Sequence, residues 1–163
     1  MVICTAAIAL LIAASPVLAA NPKFQAGSIS AHVDSTRYAY VSFKLVGLGA
    51  AQGDLITVSG SYSLSYRCVA KSDPNKYSDF FSNRAYSAGN SFTADKNGSI
   101  TKSNFKLSGK IGGPSLCPGG WTLDTANQAG NWLYLDATSW RISDQYGASD
   151  SISLSVTRVA ITG

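Results

Sequence analysis

The sequence predicts an all-β protein: an antiparallel β-sandwich with Ig-like or Greek-key links, about eight strands and one disulfide. Apolar and polar residues alternate with a period of two along most of the chain, as in strands that bury one face. Turns rich in Gly, Ser, Asn and Asp separate these runs, and no run has the 3.6-residue period of an amphipathic helix. A closed barrel is the alternative arrangement of the same strands.

The N-terminal segment has the layout of a secretory signal peptide. An uncharged run at 2–14 is rich in Ala, Ile and Leu, and 18–20 supplies small residues for cleavage. No Lys or Arg precedes the run, so an uncleaved anchor is the alternative, but a bilayer core needs about 20 apolar residues. We therefore expect residues 1–20 to be a cleaved signal peptide, residues 21–163 to form one domain, and the protein to be secreted and extracellular.

The charge of the chain is weakly basic and dispersed. All thirteen Lys and Arg residues and all nine acidic residues, each of them Asp, follow residue 20, so the net charge of +4 survives cleavage. The basic residues form no run, which argues against nucleic-acid binding. This positive charge is compatible with a weak attraction to anionic cell-surface polymers. No segment after residue 20 is apolar enough to predict a membrane span.

The alternation assigns the strands in order. It is clearest at 56–68, where Ile, Val, Gly, Tyr, Leu, Tyr and Cys share one face while Thr, Ser and Arg share the other. At 38–46, four apolar residues likewise alternate with Tyr, Ser and Lys. The expected strands are 28–33, 38–46, 56–68, 90–94, 99–107, 121–125, 131–142 and 151–161.

Two connections stand out between these strands. Asn97-Gly98 is a tight-turn pair, because both residues tolerate positive φ, and it predicts a hairpin between 90–94 and 99–107. The segment 71–89 is the least regular part of the chain. We interpret it as a long loop, the kind of segment that often carries binding on a rigid β scaffold.

The cysteines predict a disulfide between Cys68 and Cys117. Cys4 lies in the signal peptide, so two cysteines remain in an oxidising compartment. A redox pair is more often spaced CxxC, and a zinc site needs four ligands, which two Cys and the single His32 cannot supply. Cys68 falls on the apolar face of its strand, which favours a buried bridge between sheets over a reactive thiol.

Four stretches together carry a family resemblance: FKLVGLG at 43–49, YRCV at 66–69, SFTADKNGSI at 91–100 and CPGG at 117–120. In this order they resemble the motifs of an uncharacterised family of small secreted β-sandwich proteins of bacteria and filamentous fungi. The resemblance implies a secreted β-sandwich with one disulfide joining Cys68 and Cys117. It implies no activity, so no site residues are transferred.

The chain lacks a recognisable catalytic set. Its nine Asp residues fall in no carboxylate-pair motif, and Asp in turns is mostly turn-forming. His32 and Asp34 would share a strand face and could orient an imidazole, but no Gly-x-Ser-x-Gly elbow accompanies them. A small hydrolase using Asp124, Asp136 or the His32/Asp34 pair is therefore the weakest hypothesis, and no catalytic residue is assigned.

The turn at 95–99 has two further interpretations. Oxygen-bearing side chains at Asp95, Asn97 and Ser99 are like the start of a calcium loop, but the glycine is misplaced for an EF-hand and no Glu closes the shell. We therefore expect no metal there and no cofactor. Asn97-Gly98-Ser99 is also a glycosylation sequon, which makes Asn97 a candidate N-glycosylation site on an exposed turn.

The aromatic residues are candidates for glycan binding. Trp132 and Tyr134, and Tyr40 on an earlier strand, alternate with aliphatic neighbours. If Leu133 and Leu135 point to the core, Trp132 and Tyr134 form a flat platform of the kind that stacks on sugar rings. Small sandwiches commonly bury tryptophan, so we favour the alternatives to a platform: either Trp132 and Tyr134 face the core, or they merely cover an edge of the sandwich.

These observations favour a binding protein over an enzyme. We expect a secreted, non-enzymatic β-sandwich that binds an extracellular or cell-surface partner. The alternative is a stand-alone carbohydrate-binding module, which depends on the platform at Trp132 and Tyr134. Burial of the other two tryptophans, Trp121 and Trp140, is expected in either case.

Overall fold

The computed structural model describes residues 21–49, 52–112, 116–127, 130–136, 139–154 and 157–161. The expected signal peptide at 1–20 lies outside these ranges. Within them the chain is all-β, with antiparallel strand pairs in two sheets and no α-helix, so the predicted fold class is confirmed. None of the described residues belongs to a helix that could cross a membrane.

Eleven strands make up the described chain, against about eight expected, because the predicted 131–142 contains two short strands and two others, at 23–24 and 149–151, were not foreseen. They are β1 Lys23–Phe24, β2 Ser30–Val33, β3 Ala39–Val46, β4 Gly53–Ala70, β5 Asp73–Thr93, β6 Ile100–Lys106, β7 Trp121–Leu123, β8 Trp132–Leu135, β9 Arg141–Ser143, β10 Ser149–Ser151 and β11 Arg158–Ala160.

The strands form two sheets, each built on one long strand. In the first sheet β3 pairs with β6 along one edge and with β2 and β1 along the other. In the second sheet β4 pairs with β5 along one edge and with β9, β8 and β7 in turn along the other, and β10 and β11 continue outward from β9 and β8. An isolated parallel bridge from Ala31 to Leu154 links β2 to the segment between β10 and β11.

The core lies between the inner faces of the sheets, and the alternation of the sequence explains which residues fill it. In β3 every second residue is buried, beginning with Ala39, and in β4 the predicted apolar face points inward. The two predicted faces are therefore confirmed. The largest fully buried apolar side chains are Val41, Leu45, Val58, Leu64, Ile100, Ile111, Leu133, Trp140, Ile142, Ile152 and Ile161.

The segment 71–89 is a strand, so the predicted loop is wrong. Most of it belongs to β5, which pairs with β4 from Gly53 to Ala70. Ala88 is the one buried hydrophobic residue of β5 among those described, because this strand lies at the edge of the sheet and exposes most of its residues. The many polar residues of 71–89 therefore indicate a strand at the edge of a sheet rather than an irregular loop.

The turn at 95–99 is present, but the predicted hairpin is wrong. Asp95 N donates to Ser99 O at 2.8 Å, and Gly98 has a φ of 70°. However, β5 pairs with β4 and β6 pairs with β3, so the turn carries the chain from the second sheet to the first. A tight-turn pair identifies the turn but does not say whether the strands beside it pair with each other.

The disulfide between Cys68 and Cys117 is confirmed, with a Cα–Cα distance of 5.9 Å. Cys68 is fully buried on the inner face of β4, and Cys117 is half-buried in the connection between β6 and β7. Because β7 pairs with β4 at Cys68, the bridge fastens this connection to β4 rather than joining one sheet to the other. The expected sheet-to-sheet bridge is therefore wrong.

Candidate functional site

The outer face of the second sheet carries small polar side chains along β4. Alternate residues of this strand from Ser59 to Ser65 are serines, and Arg67 follows them. At Ser63 and Ser65 the neighbouring residues on both adjacent strands are larger than the serines. The centre of the sheet is therefore the floor of a shallow depression.

Aromatic rings stand on both sides of this depression. Ser65 lies between Phe81 of β5 and Trp132 of β8, and Ser63 pairs with Tyr134 of β8. Strands two positions apart in a sheet are separated by about 10 Å. We name the feature formed by Ser63, Ser65, Phe81, Trp132 and Tyr134 the aromatic groove.

The rings of the groove face outward because their neighbours fill the core. Leu133 is fully buried and Leu135 is 6% exposed, so Trp132 and Tyr134 project from the opposite face of β8. Tyr134 is 37% exposed and Phe81 is 68% exposed. Trp132 is half-buried on the outer face, so the alternative in which it faces the core is wrong.

The other two tryptophans differ from Trp132 in position. Trp140 is 1% exposed and belongs to the core, as expected. Trp121 is half-buried at the start of β7, so the expected burial is only partial there. Neither residue belongs to the aromatic groove.

A cation lies beside the rings of the groove. The guanidinium of Arg158, on β11, is 3.7 Å from the ring centroid of Trp132 and 5.4 Å from that of Tyr134. Such cation–π contacts hold a side chain in place and stabilise it by about 0.5–1 kcal/mol at exposed sites. Arg158 therefore steadies both rings and provides a positive charge at the edge of the groove.

A charged pair closes one end of the groove. Arg67 donates to both carboxylate oxygens of Asp79, from Nε at 2.6 Å and from Nη2 at 2.8 Å, and its guanidinium lies 4.1 Å from the Tyr77 ring centroid. The hydrogen bonds from Arg67 lower the pKa of Asp79, although desolvation opposes them. The pair therefore remains ionised.

A pocket of about 260 Å³ lies beside this charged pair. It opens next to the serine floor, so a ligand in the groove could extend into it. Its lining residues are Ser65, Tyr66, Arg67, Asp79, Asn127 and Gly130.

Asn131 fixes the start of β8 and was not singled out from the sequence. Its side chain is fully buried; Oδ1 accepts from Arg67 N at 2.7 Å, and Nδ2 donates to Asp124 O at 2.6 Å. These bonds join β8 to β4 and to the segment after β7. Asn131 is therefore a positioning residue for Trp132, and the only sequence signal was a polar residue directly before an alternating strand.

Tyr40 lies apart from the aromatic groove. It belongs to β3 of the first sheet, where its ring stacks on His32 with a centroid distance of 5.1 Å. Its hydroxyl donates to Asp34 Oδ2 at 3.2 Å. The structure thus brings Trp132 and Tyr134 together and leaves the third candidate glycan-binding residue on the other sheet.

Asp34 serves a turn rather than pairing with His32. Its Oδ1 accepts from the backbone N of Thr36 and Tyr38. Desolvation raises the pKa of Asp34, but the hydrogen bonds from Tyr38, Thr36 and Tyr40 outweigh it, and the net pKa is lowered. The carboxylate is therefore held ionised by the turn that it closes.

The same arrangement recurs in two more turns. Asp95 Oδ1 accepts from Asn97 N and Ser99 N, and Asp144 Oδ1 accepts from Tyr146 N and Ala148 N. In all three turns an Asp caps amides two and four residues later, and the residue three positions on has positive φ. Local turn formation explains these aspartates, and it explains the calcium-like spacing at 95–99.

Asn97 remains a candidate glycosylation site. It is exposed in the turn between β5 and β6, and its backbone N donates to Asp95 Oδ1 at 2.8 Å. The side-chain amide that would carry a glycan therefore lies at an accessible position. Modification of Asn97 remains a prediction.

The remaining hydrolase candidates lie on different elements. Asp124 N donates to Arg67 O, and Asp124 Oδ1 accepts from Asn127 N at 3.1 Å. Asp136 directly follows Leu135, which pairs with Tyr62 of β4. Tyr62 is five positions from Arg67 on the same strand, so Asp136 and Asp124 lie about 17 Å apart along β4. His32 lies on β2 of the first sheet and Asp34 in the turn that follows it, so these candidates form no single group.

The fold and the groove define a disulfide-bonded all-β protein with an exposed aromatic face on one sheet. Comparison with protein-family models, with curated protein sequences and with solved structures found no match. The argument for function therefore depends on the chemistry of the groove.

Proposed function

We propose that this protein is a secreted, non-enzymatic carbohydrate-binding protein whose ligand lies in the aromatic groove. The observation that carries the proposal is the placement of Phe81 on one side of a serine floor, with Trp132 and Tyr134 on the other. Secretion is supported by the signal-peptide layout of residues 1–20 and by the disulfide, which is typical of oxidising compartments. The resemblance to small secreted proteins agrees with the same location.

The groove offers what a sugar ring needs. Rigid aromatic faces contact the apolar C–H face of a pyranose at little entropic cost, and nearby hydroxyl and amide groups hydrogen-bond its hydroxyls. Ser63 Oγ donates to Asn83 Oδ1 at 2.6 Å, so this pair presents an ordered polar edge beside the rings. A separation of about 10 Å between β5 and β8 leaves room for one ring over the floor.

The charge around the groove favours an acidic polysaccharide. Arg158 beside the rings has no carboxylate partner among the described ion pairs, whereas Arg67 is neutralised by Asp79. Arg141 of β9 adds a further positive charge to the same outer face. With the net charge of +4, these residues favour a glycan that carries carboxylate or sulfate groups.

The test compares two tyrosines of similar exposure. Tyr134 belongs to the groove, and Tyr146, which is 46% exposed, lies in the turn between β9 and β10. Titration of the mature protein with acidic polysaccharides should give binding that falls about tenfold in Tyr134→Ala and in Phe81→Ala, and is unchanged in Tyr146→Ala. Binding should also weaken as salt is raised.

Two outcomes would refute the proposal. One is the absence of binding across a panel of neutral and acidic polysaccharides. The other is binding that Tyr134→Ala and Phe81→Ala both leave unchanged. If the same rings bind a protein rather than a glycan, the groove is a binding surface but the proposed ligand is wrong. Turnover of a glycan would contradict the non-enzymatic part.

A further inference from the structure

Two carboxylates are buried at one end of the second sheet. Asp54, near the start of β4, is 2% exposed, and Asp144, directly after β9, is 8% exposed. Val58 of β4 pairs with Ile142 of β9, and both side chains are buried on the inner face. Asp54 and Asp144 lie an even number of positions away from them, so their side chains belong to the same face. Asp54 Oδ1 accepts from Gln145 N at 3.4 Å, which brings Asp54 to the turn that Asp144 begins.

Each of these carboxylates has one oxygen without a partner. Asp144 Oδ1 accepts two backbone hydrogen bonds in its turn, but Asp144 Oδ2 and Asp54 Oδ2 are buried and accept none within the described chain. The one ion pair of the described residues is that of Arg67 with Asp79, elsewhere on the sheet. Burying an ionised carboxylate oxygen without a partner is costly, so this arrangement requires compensation.

The two groups also repel each other. Desolvation raises the pKa of Asp54, and the charge of Asp144 raises it further, while hydrogen bonds from Gln145 N and Leu55 N oppose both effects. Two like charges in one buried region can be relieved by a cation or by a proton on one of them. A single cation held between the two side chains would partner both free oxygens.

We propose that Asp54 and Asp144 bind a divalent cation of the calcium type through their Oδ2 atoms. The donors are oxygens, which hard cations prefer, and neither nitrogen nor sulfur is offered. No group of three or more His, Cys or acidic side chains that could hold a metal occurs in the described residues. Backbone carbonyls and water must complete the shell, so the affinity falls in the range of about 10⁻⁴–10⁻³ M seen in extracellular modules.

Such an ion would fasten the start of β4 to the turn between β9 and β10. The link now depends on Gln145, whose N and Nε2 reach Asp54 Oδ1 and Gly53 O at 3.4 and 3.3 Å. Both distances are long for hydrogen bonds, so a bound cation would tighten this end of the sheet. The site is on the inner face and does not depend on the proposed groove ligand.

The first measurement is thermal unfolding of the mature protein in EDTA and in 10 mM CaCl₂. Binding at millimolar affinity to the folded state alone should raise the Tm by about 4 °C, and terbium should report the site by luminescence sensitised by Tyr146. An unchanged Tm with calcium, magnesium and manganese would overturn the proposal. If the Tm instead rises only as the pH falls towards 5, a proton occupies the pair in place of the cation.

Asp54→Asn separates cation binding from a purely structural role. This isosteric change removes the repulsion, so the variant should match or exceed the wild-type Tm in EDTA and lose the calcium-dependent rise. Asp95→Asn, at the equivalent turn between β5 and β6, should keep the rise. Asp144→Asn, which retains an Oδ1 for its turn, provides the second variant if Asp54→Asn does not fold. A calcium-dependent rise that survives both substitutions would contradict the site.

Discussion

Trp140 packs face-on against Gly60, and the two residues form a single packing unit. A Cβ at Gly60 would collide with the indole ring. The Trp140 Nε1 donates to Ser61 O at 2.9 Å, and Tyr86, which pairs with Gly60 on β5, stacks on the same indole at a centroid distance of 5.4 Å. The missing side chain at Gly60 is therefore what admits the largest buried residue.

Gly60→Ala should destabilise the protein by about 1–3 kcal/mol, because the new methyl group displaces the indole from a filled core. Urea unfolding monitored by tryptophan fluorescence measures this change. Gly119→Ala is the matched control, since nothing lies within 4 Å of its Cβ position and its φ is not positive. Equal stability of the two variants would show that Trp140 does not depend on Gly60.

Removing the disulfide should cost about 4 kcal/mol, the chain-entropy value for a loop of this length. The bridge joins residues separated by 49 positions, so it restricts a large part of the unfolded chain. The double variant Cys68→Ala, Cys117→Ala should unfold at correspondingly lower urea. Titration of two free thiols in the native protein would contradict the bridge itself.

Asn131→Ala should destabilise the fold by about 1–3 kcal/mol, because it leaves the amide of Arg67 without its buried acceptor. It should also weaken the proposed glycan binding, since Asn131 holds the start of β8 next to Trp132. Asn127→Ala, which changes an exposed residue at the rim of the nearby pocket, is the control for stability. Full stability and unchanged binding in Asn131→Ala would remove its positioning role.

Stability should fall as the pH rises above about 10, the ordinary pKa of tyrosine. Burial raises the pKa of Tyr86 to about 12, with a smaller contribution from Tyr62, and the hydroxyl of Tyr86 donates to Ser108 O at 3.1 Å. The folded state therefore holds a proton that the unfolded state loses between about pH 10 and 12, which favours unfolding.

Tyr86→Phe tests this assignment. The free energy of unfolding should decrease less between pH 9 and pH 11 in this variant than in the wild type, because the contribution of Tyr86 is gone. Tyr146→Phe, at an exposed tyrosine, should keep the wild-type slope. An identical slope in Tyr86→Phe and wild type would assign the alkaline loss to other groups.

The sequence predicted those elements in which burial alternates. In β3 and β4 one face meets the core and the other meets water, so the period of two is written directly into the residue types. In β5 one face is exposed and the other is only half-buried, through residues such as Phe80, Tyr86 and Phe92, so its polar and apolar residue types do not alternate as clearly. Pairing partners were not predictable either, as the turn at 95–99 shows, because they depend on the whole sheet.

The candidate site was predictable only in part. The alternation around Leu133 identified Trp132 and Tyr134 as a pair and offered the outward orientation as one of two choices. Phe81 was invisible to this reasoning because it lies in the segment interpreted as a loop. Its position opposite Trp132 follows from the register of three strands, which single-strand patterns do not contain.

The edge position of β5 has a consequence for the protein at high concentration. An unprotected edge of this length could template addition of further chains, as in cross-β assemblies. Lys76, Asp79 and Arg84 are spread along β5, and an incoming strand would have to strip water from these ions. We therefore expect the charged residues of β5 to disfavour edge-to-edge addition of further copies.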